Sequence, residues 1–215
     1  MRLAVERYTQ QREMWPSAGR HVLAQFDEAS VIVYQAYRPE IGLDAATRGR
    51  FGGSFSLSRM SWVKPNFLWT MFRSGWGTKP GQEVTLAIHL CRDAFDEILR
   101  QAVPSTHSES SGETVAEWKQ SLLRSDVRMQ WDPDHDPSGR REARRAIQVG
   151  LRGAALRAYA REWILEIEDV SGFVAEQRLH ASETGWPNLV VPREEVYSVN
   201  SLEVARRLGL GQVNE

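Results

Sequence analysis

Two segments with the composition of strands, VRMQWDPDHD and RAIQVGL, carry polar side chains at alternate positions. Because successive side chains of a strand point to opposite faces, Gln130 shares a face with Asp132, and Gln148 lies on the polar face of its own strand. A glutamine amide offers both donors and an acceptor, which suits recognition of an amide or a nucleobase edge. The alternative is that both glutamines satisfy buried backbone groups. Gln130 and Gln148 are therefore candidate ligand-binding residues.

Two carboxylates are the candidate catalytic groups. Asp132 follows the strand VRMQW, and Glu168 lies in the strand ILEIEDV. A carboxylate beside the reacting carbon of a sugar stabilises an oxocarbenium-like cation, as in glycoside hydrolysis. Neither residue has a second carboxylate at a diagnostic spacing, so the sequence assigns them this chemistry only by residue type.

The run Asp132, Asp134, His135 and Asp136 has the residue types of a metal site. Its D-x-D-x-D spacing begins like a calcium-binding loop, but a proline stands at the glycine position and an alanine at the terminal carboxylate position. The five histidines lie far apart, and His89 falls in an apolar strand where packing is the expected role. We expect a turn rich in Asp and Pro here, and no metal.

Cations and aromatic rings are concentrated in the segment MSWVKPNFLWTMFRSGW, residues 60–76. Pro65 and Gly75 predict the two ends of a helix that is apolar on nearly every side and therefore buried. Lys64 precedes the helix N-terminus, where it either completes an anion site or lies solvated on a loop. Arg73 lies in the last turn, where it either binds the free helix carbonyls or directs its guanidinium at a phosphate.

Further candidates for ligand binding follow from the neighbours of Arg73. Ser74 offers a hydroxyl group, and Trp76 or Trp62 offers a ring on which a base can stack. From Arg140 to Arg161 there are seven arginines and one acid, and we count Arg145 among the candidate phosphate-binding residues. Such a patch suits RNA, DNA or a dinucleotide phosphate, or it is a solvated face paired with the acidic strand EIED.

Composition limits the class of protein. The chain has 215 residues and a formal net charge of −1, so any binding of nucleic acid needs a local patch. Its single cysteine, Cys91, excludes an internal disulfide and a zinc site built from cysteines. No apolar run has the length of a bilayer-spanning helix, so we expect no membrane partner. These features predict a cytoplasmic protein of a reducing compartment.

The order of the predicted elements indicates the fold class. Strands occur in neighbouring pairs with helices between some of them and no regular alternation, which favours α+β with a mixed, mostly antiparallel and possibly split sheet. We predict a single domain over residues 1–215, with its core at about 20–199. A polar segment at about 104–114 predicts a mobile loop, and a polar helix is predicted at about 201–209.

Four long motifs together resemble the family described as domain of unknown function 4291. They are VYQAYRPEI, RMSWVKPNFLWTMFRSGW, VRMQWDPDHD and RRAIQVGLRG, and the resemblance spans about residues 20–197. It implies no activity and no catalytic residues. The order of strands and helices is also similar to that of ADP-ribosyltransferase-type folds, in which a split sheet holds NAD without a Walker or Rossmann motif. That similarity implies NAD as a cofactor.

Three functions remain open from the sequence. The first is an enzyme acting on a nucleotide or dinucleotide, most concretely an NAD-dependent ADP-ribosyltransferase in which Lys64 and Arg73 neutralise the diphosphate. The second is an RNA- or DNA-binding module that uses the arginines of 140–161, whose affinity would fall steeply with salt. The third is a protein-interaction domain whose aromatic residues are all core.

Overall fold

The computed structural model describes residues 2–107 and 112–212. The strands are β1 (Val5–Arg7), β2 (Gly19–Arg20), β3 (Leu23–Ala24), β4 (Ser30–Tyr37), β5 (Ser61–Val63), β6 (Val84–Cys91), β7 (Val103–Pro104), β8 (Val127–His135), β9 (Arg141–Leu151), β10 (Ile164–Asp169), β11 (Val190–Pro192) and β12 (Glu195–Val196). The helices are α1 (Tyr8–Met14), α2 (Pro39–Arg48), α3 (Phe67–Ser74), α4 (Arg92–Gln101), α5 (Val115–Arg124), α6 (Gly153–Ala158), α7 (Ser171–Arg178) and α8 (Leu202–Leu208). A π-helical segment, Tyr159–Trp163, and a 3-10 segment, Glu183–Asn188, complete the described elements. Across this described part of the chain, no helix combines the length and the apolar composition needed to cross a membrane.

Two larger sheets organise the molecule. One is three-stranded and antiparallel, in the order β10-β6-β4, and the other is five-stranded, with β2-β9-β8-β7 in order and β5 pairing with β9. The pairs β2–β9 and β7–β8 are parallel, whereas the other strand pairs in the described residues are antiparallel. The predicted α+β class with a mixed, mostly antiparallel sheet is therefore confirmed.

The segment after β5 connects the two sheets. Trp62 pairs with Gly150 of β9, and two residues later Lys64 forms an isolated antiparallel bridge with Tyr34 of β4. The amide of Tyr34 donates to the carbonyl oxygen of Lys64 at 2.6 Å, and the reverse hydrogen bond is 3.3 Å long. The five-stranded and three-stranded sheets consequently meet at Lys64.

Two apolar clusters lie on the two faces of the strands. The main core takes Val31 and Val33 from β4 together with Met129 of β8 and Val149 of β9. The second core takes the alternate residues of β4, such as Tyr34, and packs them against α3 and the N-terminal helix α1. The polar helix predicted at about 201–209 is α8, whose buried residues Val204 and Leu208 join the main core. The loop predicted at about 104–114 falls partly on residues 108–111, which lie outside the described residues.

Helix α3 begins two residues later than Pro65 predicted. Asn66 is the N-cap, and its side-chain oxygen accepts from the amide of Trp69 at 2.6 Å, which is the usual role of Asn at this position. Gly75 ends the helix with φ 58°, in the left-handed conformation that glycine adopts at low cost. Most of the helix surface is buried, and Phe72 and Arg73 are its exposed side chains.

Candidate functional site

The polar alternation of β8 and β9 forms one continuous surface. The strands pair antiparallel with Arg128 opposite Gly150, Gln130 opposite Gln148 and Asp132 opposite Ala146. Residues that face each other in this way project from the same side of a sheet. The opposite side carries the main core. We call the surface formed by Arg128, Gln130, Asp132 and Gln148 the polar face.

Asp132 fixes the orientation of both glutamines. Nε2 of Gln148 donates to its Oδ2 at 2.6 Å, and Nε2 of Gln130 donates to its Oδ1 at 2.9 Å. An ionised carboxylate only accepts hydrogen bonds, so each amide must turn its nitrogen towards Asp132. The Oε1 atoms of both glutamines accept from no described residue. The polar face therefore presents two amide oxygens for an N–H donor from outside.

Two cations stand beside this carboxylate. Burial raises the pKa of Asp132, while the bonds from Gln148 and Gln130 and the charges of Arg73 and Lys64 lower it. Burial and then the charge of Arg73 lower the pKa of Lys64 to about 8, against the charge of Asp132. Within the described residues, neither the ammonium of Lys64 nor the guanidinium of Arg73 donates a hydrogen bond or forms an ion pair. Asp132 is therefore within electrostatic range of two cations whose donors have no partner among the described residues.

Two further polar groups at this surface have no partner in the described part of the chain. They are Nε of Arg128 and Oγ of Ser105, both buried. Ser105 directly follows β7, and its amide donates to the carbonyl oxygen of Met129 at 2.8 Å. A buried donor without a partner costs about 1–3 kcal/mol, so such atoms indicate where a ligand or water binds.

Aromatic rings border the polar face. A Cβ atom added at Gly150 would lie 3.1 Å from Cδ2 of Trp62 and 2.7 Å from Sδ of Met60, so Trp62 lies directly over this glycine. Trp62 is half-buried and leaves part of its ring accessible. On the side of α3, the guanidinium of Arg73 lies 5.8 Å from the ring centre of Trp69. Trp69 is 4% exposed and stacks on Phe72, so Trp62 is the partly accessible ring among these candidates.

One of the two alternatives for Lys64 was an anion site at the N-terminus of α3, where two backbone amides have acceptors from within the chain. Glu194 is 2% exposed, and its Oε1 accepts from the amide of Phe67 at 2.6 Å. The side-chain oxygen of Asn66 accepts from the amide of Trp69. Burial raises the pKa of Glu194 well above its usual range, although the bond from Phe67 lowers it. The chain therefore supplies its own acceptors here, and the side chain of Lys64 interacts electrostatically with Asp132.

Three of the predicted ligand-binding residues interact with other parts of the protein and not with the polar face. Ser74 is fully buried, and its Oγ accepts from the amide of Gly77 at 3.2 Å. Trp76 packs in the second core and donates from Nε1 to the carbonyl oxygen of Pro137 at 3.2 Å. Arg145 alternates with Gln148 and so projects from the opposite side of β9, where its charge lowers the pKa of Arg20 in addition to burial. The structure does not bring these three side chains to the polar face.

The structure separates the two candidate catalytic carboxylates. Glu168 lies on β10 in the three-stranded sheet, and its Oε1 is 2.7 Å from Nε2 of His89. His89 was expected to be packed, and it is buried with this carboxylate as its partner. Asp132 remains the carboxylate that Lys64, Arg73 and the two glutamines surround.

The arginines of 140–161 do not share one role. Arg140 forms an ion pair with Glu183, and Arg144 is 6% exposed. Arg152 donates to the carbonyl oxygen of Leu123 at 2.7 Å, near the end of α5. Three of the seven arginines are therefore engaged within the protein, whereas Arg141, Arg157 and Arg161 are exposed.

The residues 134–136 have structural partners. Asp134 forms a buried ion pair with Arg144 at 2.7 Å. Oδ1 of Asp136 accepts from the amide of Ser138 at 2.9 Å and thereby closes the turn. His135 stacks on Phe72, with 3.5 Å between the ring centres. The predicted turn is present, although β8 continues through its first residues to His135.

Sequence reasoning missed several components of the site. Arg128 lies on the predicted polar face, and strand alternation could have added it to the candidates. No pattern in the sequence indicated Ser105, because the parallel pairing of β7 with β8 brings it there. Glu194 is 127 residues from the amide of Phe67 that it binds, so only tertiary structure could reveal that contact.

Comparison with known proteins places the chain in a family. The model of the family described as domain of unknown function 4291 matches residues 21–197, which is most of the chain. The chain belongs to this family. No curated protein matches it significantly. The match includes β5, α3, β8 and β9, and hence all residues of the polar face.

Proposed function

We propose that this member of the family of domain of unknown function 4291 binds a phosphate-bearing nucleotide on the polar face. The observation that carries the proposal is the arrangement around Asp132. Lys64 and Arg73 bring two cations that make no hydrogen bond to a described residue, and Gln130 and Gln148 turn their Oε1 atoms away from the carboxylate. A ligand that matches this arrangement has anionic groups for the cations and N–H groups for the amide oxygens.

A nucleotide has both kinds of group. Its phosphates suit Arg73, whose planar guanidinium can form paired hydrogen bonds, and Lys64, which acts as a point charge. Exocyclic amine or carboxamide N–H groups suit the Oε1 atoms of Gln130 and Gln148. Trp62 provides a ring for stacking, which contributes about 1–3 kcal/mol for a base on an aromatic side chain.

The most concrete form of the proposal is NAD-dependent ADP-ribosyl transfer. In this reaction the bond between the ribose carbon and the nicotinamide nitrogen breaks, and its electron pair leaves with nicotinamide. An acceptor nucleophile then bonds to the ribose carbon and loses a proton. Asp132, held by two amide donors, would stabilise the oxocarbenium-like cation between these events. Lys64, Arg73 and Arg128 would bind the diphosphate.

The first experiment is thermal unfolding of the full chain with NAD, ADP-ribose, ATP, inorganic phosphate and a short RNA, each at about 1 mM. A ligand at about 100 times its Kd adds about 2.7 kcal/mol, which raises the Tm by several degrees. We expect NAD or ADP-ribose to raise the Tm, followed by release of nicotinamide in an assay with NAD. A Tm that no nucleotide changes would refute the proposal, and a rise with RNA alone would favour the nucleic-acid module.

A matched pair of variants tests the location of the site. Arg73→Ala removes an exposed arginine beside Asp132, and Arg161→Ala removes an exposed arginine outside the polar face. We expect the nucleotide-induced rise in Tm to disappear in Arg73→Ala and to persist in Arg161→Ala. Equal loss in both variants would point to unspecific attraction of anions.

The proposal includes a cytoplasmic setting. Cys91 is the single cysteine of the chain and is a free thiol in the structure, which suits a reducing compartment. The binding experiments are therefore designed with a reductant present.

A further inference from the structure

A second cluster of ligating side chains lies at the edge of the three-stranded sheet, away from β8 and β9. Glu166 of β10 is opposite His89 of β6 in the antiparallel register, and Glu168 follows two residues later on the same side. One ligand atom of each residue lies within 4.8 Å of the other two. His89 is buried, Glu168 is half-buried and Glu166 is exposed, so the cluster runs from the interior to the surface.

Buried polar atoms without partners accompany this cluster. Nδ1 of His89 and the hydroxyl of Tyr34 make no hydrogen bond to a described residue, although His89 is 2% exposed and Tyr34 is 0% exposed. Ala87 of the central strand β6 is paired with Tyr34 of β4 on one side and with Glu168 of β10 on the other. Burial, and then the charges of Glu194 and Glu168, raise the pKa of Tyr34 well above its usual range. The cluster therefore includes one buried nitrogen without a partner among the described residues, and a buried hydroxyl on β4 likewise has none.

We propose that His89, Glu166 and Glu168 bind a first-row divalent cation such as Zn²⁺ or Mn²⁺. An imidazole nitrogen together with two carboxylates is a ligand set that these ions accept, whereas Mg²⁺ prefers oxygen ligands and water. Three protein ligands leave at least one coordination position for water or a substrate. This site is separate from the polar face and does not rest on the nucleotide proposal.

The described geometry needs a small adjustment to hold the ion. Two ligands that each lie about 2.1 Å from one ion are at most about 4.2 Å apart, so any pair of ligand atoms near the 4.8 Å limit must move closer to bind it. Glu166 can make this movement because its side chain is exposed. Nε2 of His89 and Oε1 of Glu168 are 2.7 Å apart and share a proton as a hydrogen bond. The ion would replace that proton, and the two atoms would separate to bind it.

The test is titration calorimetry of the full chain, stripped with a chelator, using Zn²⁺, Mn²⁺ and Mg²⁺ alone. We expect one equivalent of Zn²⁺ to bind, Mn²⁺ to bind more weakly and Mg²⁺ to bind weakest. Glu166→Gln keeps the size of an exposed side chain and should weaken Zn²⁺ binding at least tenfold without lowering the Tm. Glu162→Gln is the matched control, because Glu162 is exposed, lies four residues earlier and is outside the cluster.

Two outcomes would overturn the site. The first is the absence of a stoichiometric Zn²⁺ site in the stripped protein. The second is the same Zn²⁺ affinity in the original chain and in Glu166→Gln, which would place the ion at other histidines. His89→Asn adds a direct test of the imidazole where circular dichroism shows that the variant folds.

Discussion

The ammonium of Lys79 donates to the carbonyl oxygen of Arg73 at 2.6 Å, and to that of Phe72 at 3.3 Å. Lys79 thus satisfies the last carbonyl groups of α3, a role that the sequence left open to Arg73. The guanidinium of Arg73 is free to lie over Trp69, beside Asp132. Capping of α3 by Lys79 and the proposed anion binding by Arg73 thus involve different cations and can be tested separately.

Arg73→Ala should reduce nucleotide affinity and leave stability nearly unchanged. A hydrogen bond to a charged group contributes about 1.5–3 kcal/mol, so we expect about ten- to hundredfold weaker binding of ADP-ribose. Lys79→Ala should do the reverse, with affinity retained and stability lower by about 0.3–1 kcal/mol. Calorimetric titration and thermal unfolding of both variants measure these effects. Equal losses of Tm and affinity in Arg73→Ala would assign Arg73 to the helix cap.

The affinity for an anionic nucleotide should fall as the pH rises through about 8. The pKa of Lys64 is about 8 in the free protein, so above that pH the ammonium loses its proton and its attraction for phosphate. Titrations of ADP-ribose at intervals between pH 6.5 and 9.5 should show this decline in the original chain. In Lys64→Met the affinity should be lower and nearly independent of pH over this range. A decline of the same size in the variant would assign it to another group.

Lys64→Met should also stabilise the protein near neutral pH. The folded-state pKa of about 8 is below the ordinary value of 10.5, so folding takes a charged group into less favourable surroundings. Below pH 8 Lys64 is protonated in both the folded and the unfolded state, so the full cost of burying its charge is present. Between pH 8 and 10.5 the unfolded chain binds more protons, so the original chain gains stability as the pH rises. Urea unfolding should show the advantage of Lys64→Met shrinking over this interval, and a constant difference would contradict the shift.

Asp132→Asn should separate binding from chemistry. The variant removes a negative charge beside Lys64 and Arg73, so ADP-ribose should bind at least as tightly as before. Gln130 and Gln148 donate to different oxygens of Asp132, and the side chain of Asn has only one oxygen. One hydrogen bond is therefore broken, which costs about 1 kcal/mol of stability. Release of nicotinamide from NAD should fall by at least a hundredfold. Unchanged release in the folded variant would remove Asp132 from the reaction.

The buried pair of Asp134 and Arg144 should be essential for stability and irrelevant to the ligand. Their side chains are 1% and 7% exposed, with 2.7 Å between Oδ2 and the guanidinium. Asp134→Ala leaves a buried arginine without its carboxylate, which costs about 3–5 kcal/mol. Replacing both members by Leu and Met should recover most of this loss. Urea unfolding measures the free energies, and a small loss in Asp134→Ala would show that water reaches Arg144.

The polar face shows how far local patterns predict a site. The two-residue period of a strand fixed which side chains of β8 lie together, and the same period assigned Gln148 to the polar side of β9. The structure adds the antiparallel register, which pairs Gln130 with Gln148. For Arg145 the same rule pointed away from this face, and its inclusion among the ligand-binding residues relied on charge alone.

Helix α3 shows which contacts local sequence patterns cannot predict. Its apolar composition predicted burial, and its ends were predicted to within two residues. The acceptor at its N-terminus could not be predicted, because Glu194 reaches Phe67 across 127 residues of sequence. Likewise, Ser74 and Trp76 have the residue types of a binding site, but packing of the helix against the second core buries them.

The amino-acid sequence by itself determined the α+β class, the family, the strand faces and the positions of most elements, because periodicity and capping act over a few residues. Tertiary structure decided which residues meet. It brought Lys64 and Arg73 to Asp132, gave Lys79 the cap of α3 and paired His89 with Glu168 on a neighbouring strand. These contacts depend on how two sheets join at Lys64 and how α3 packs over them, and such long-range packing leaves no periodic signal in the chain.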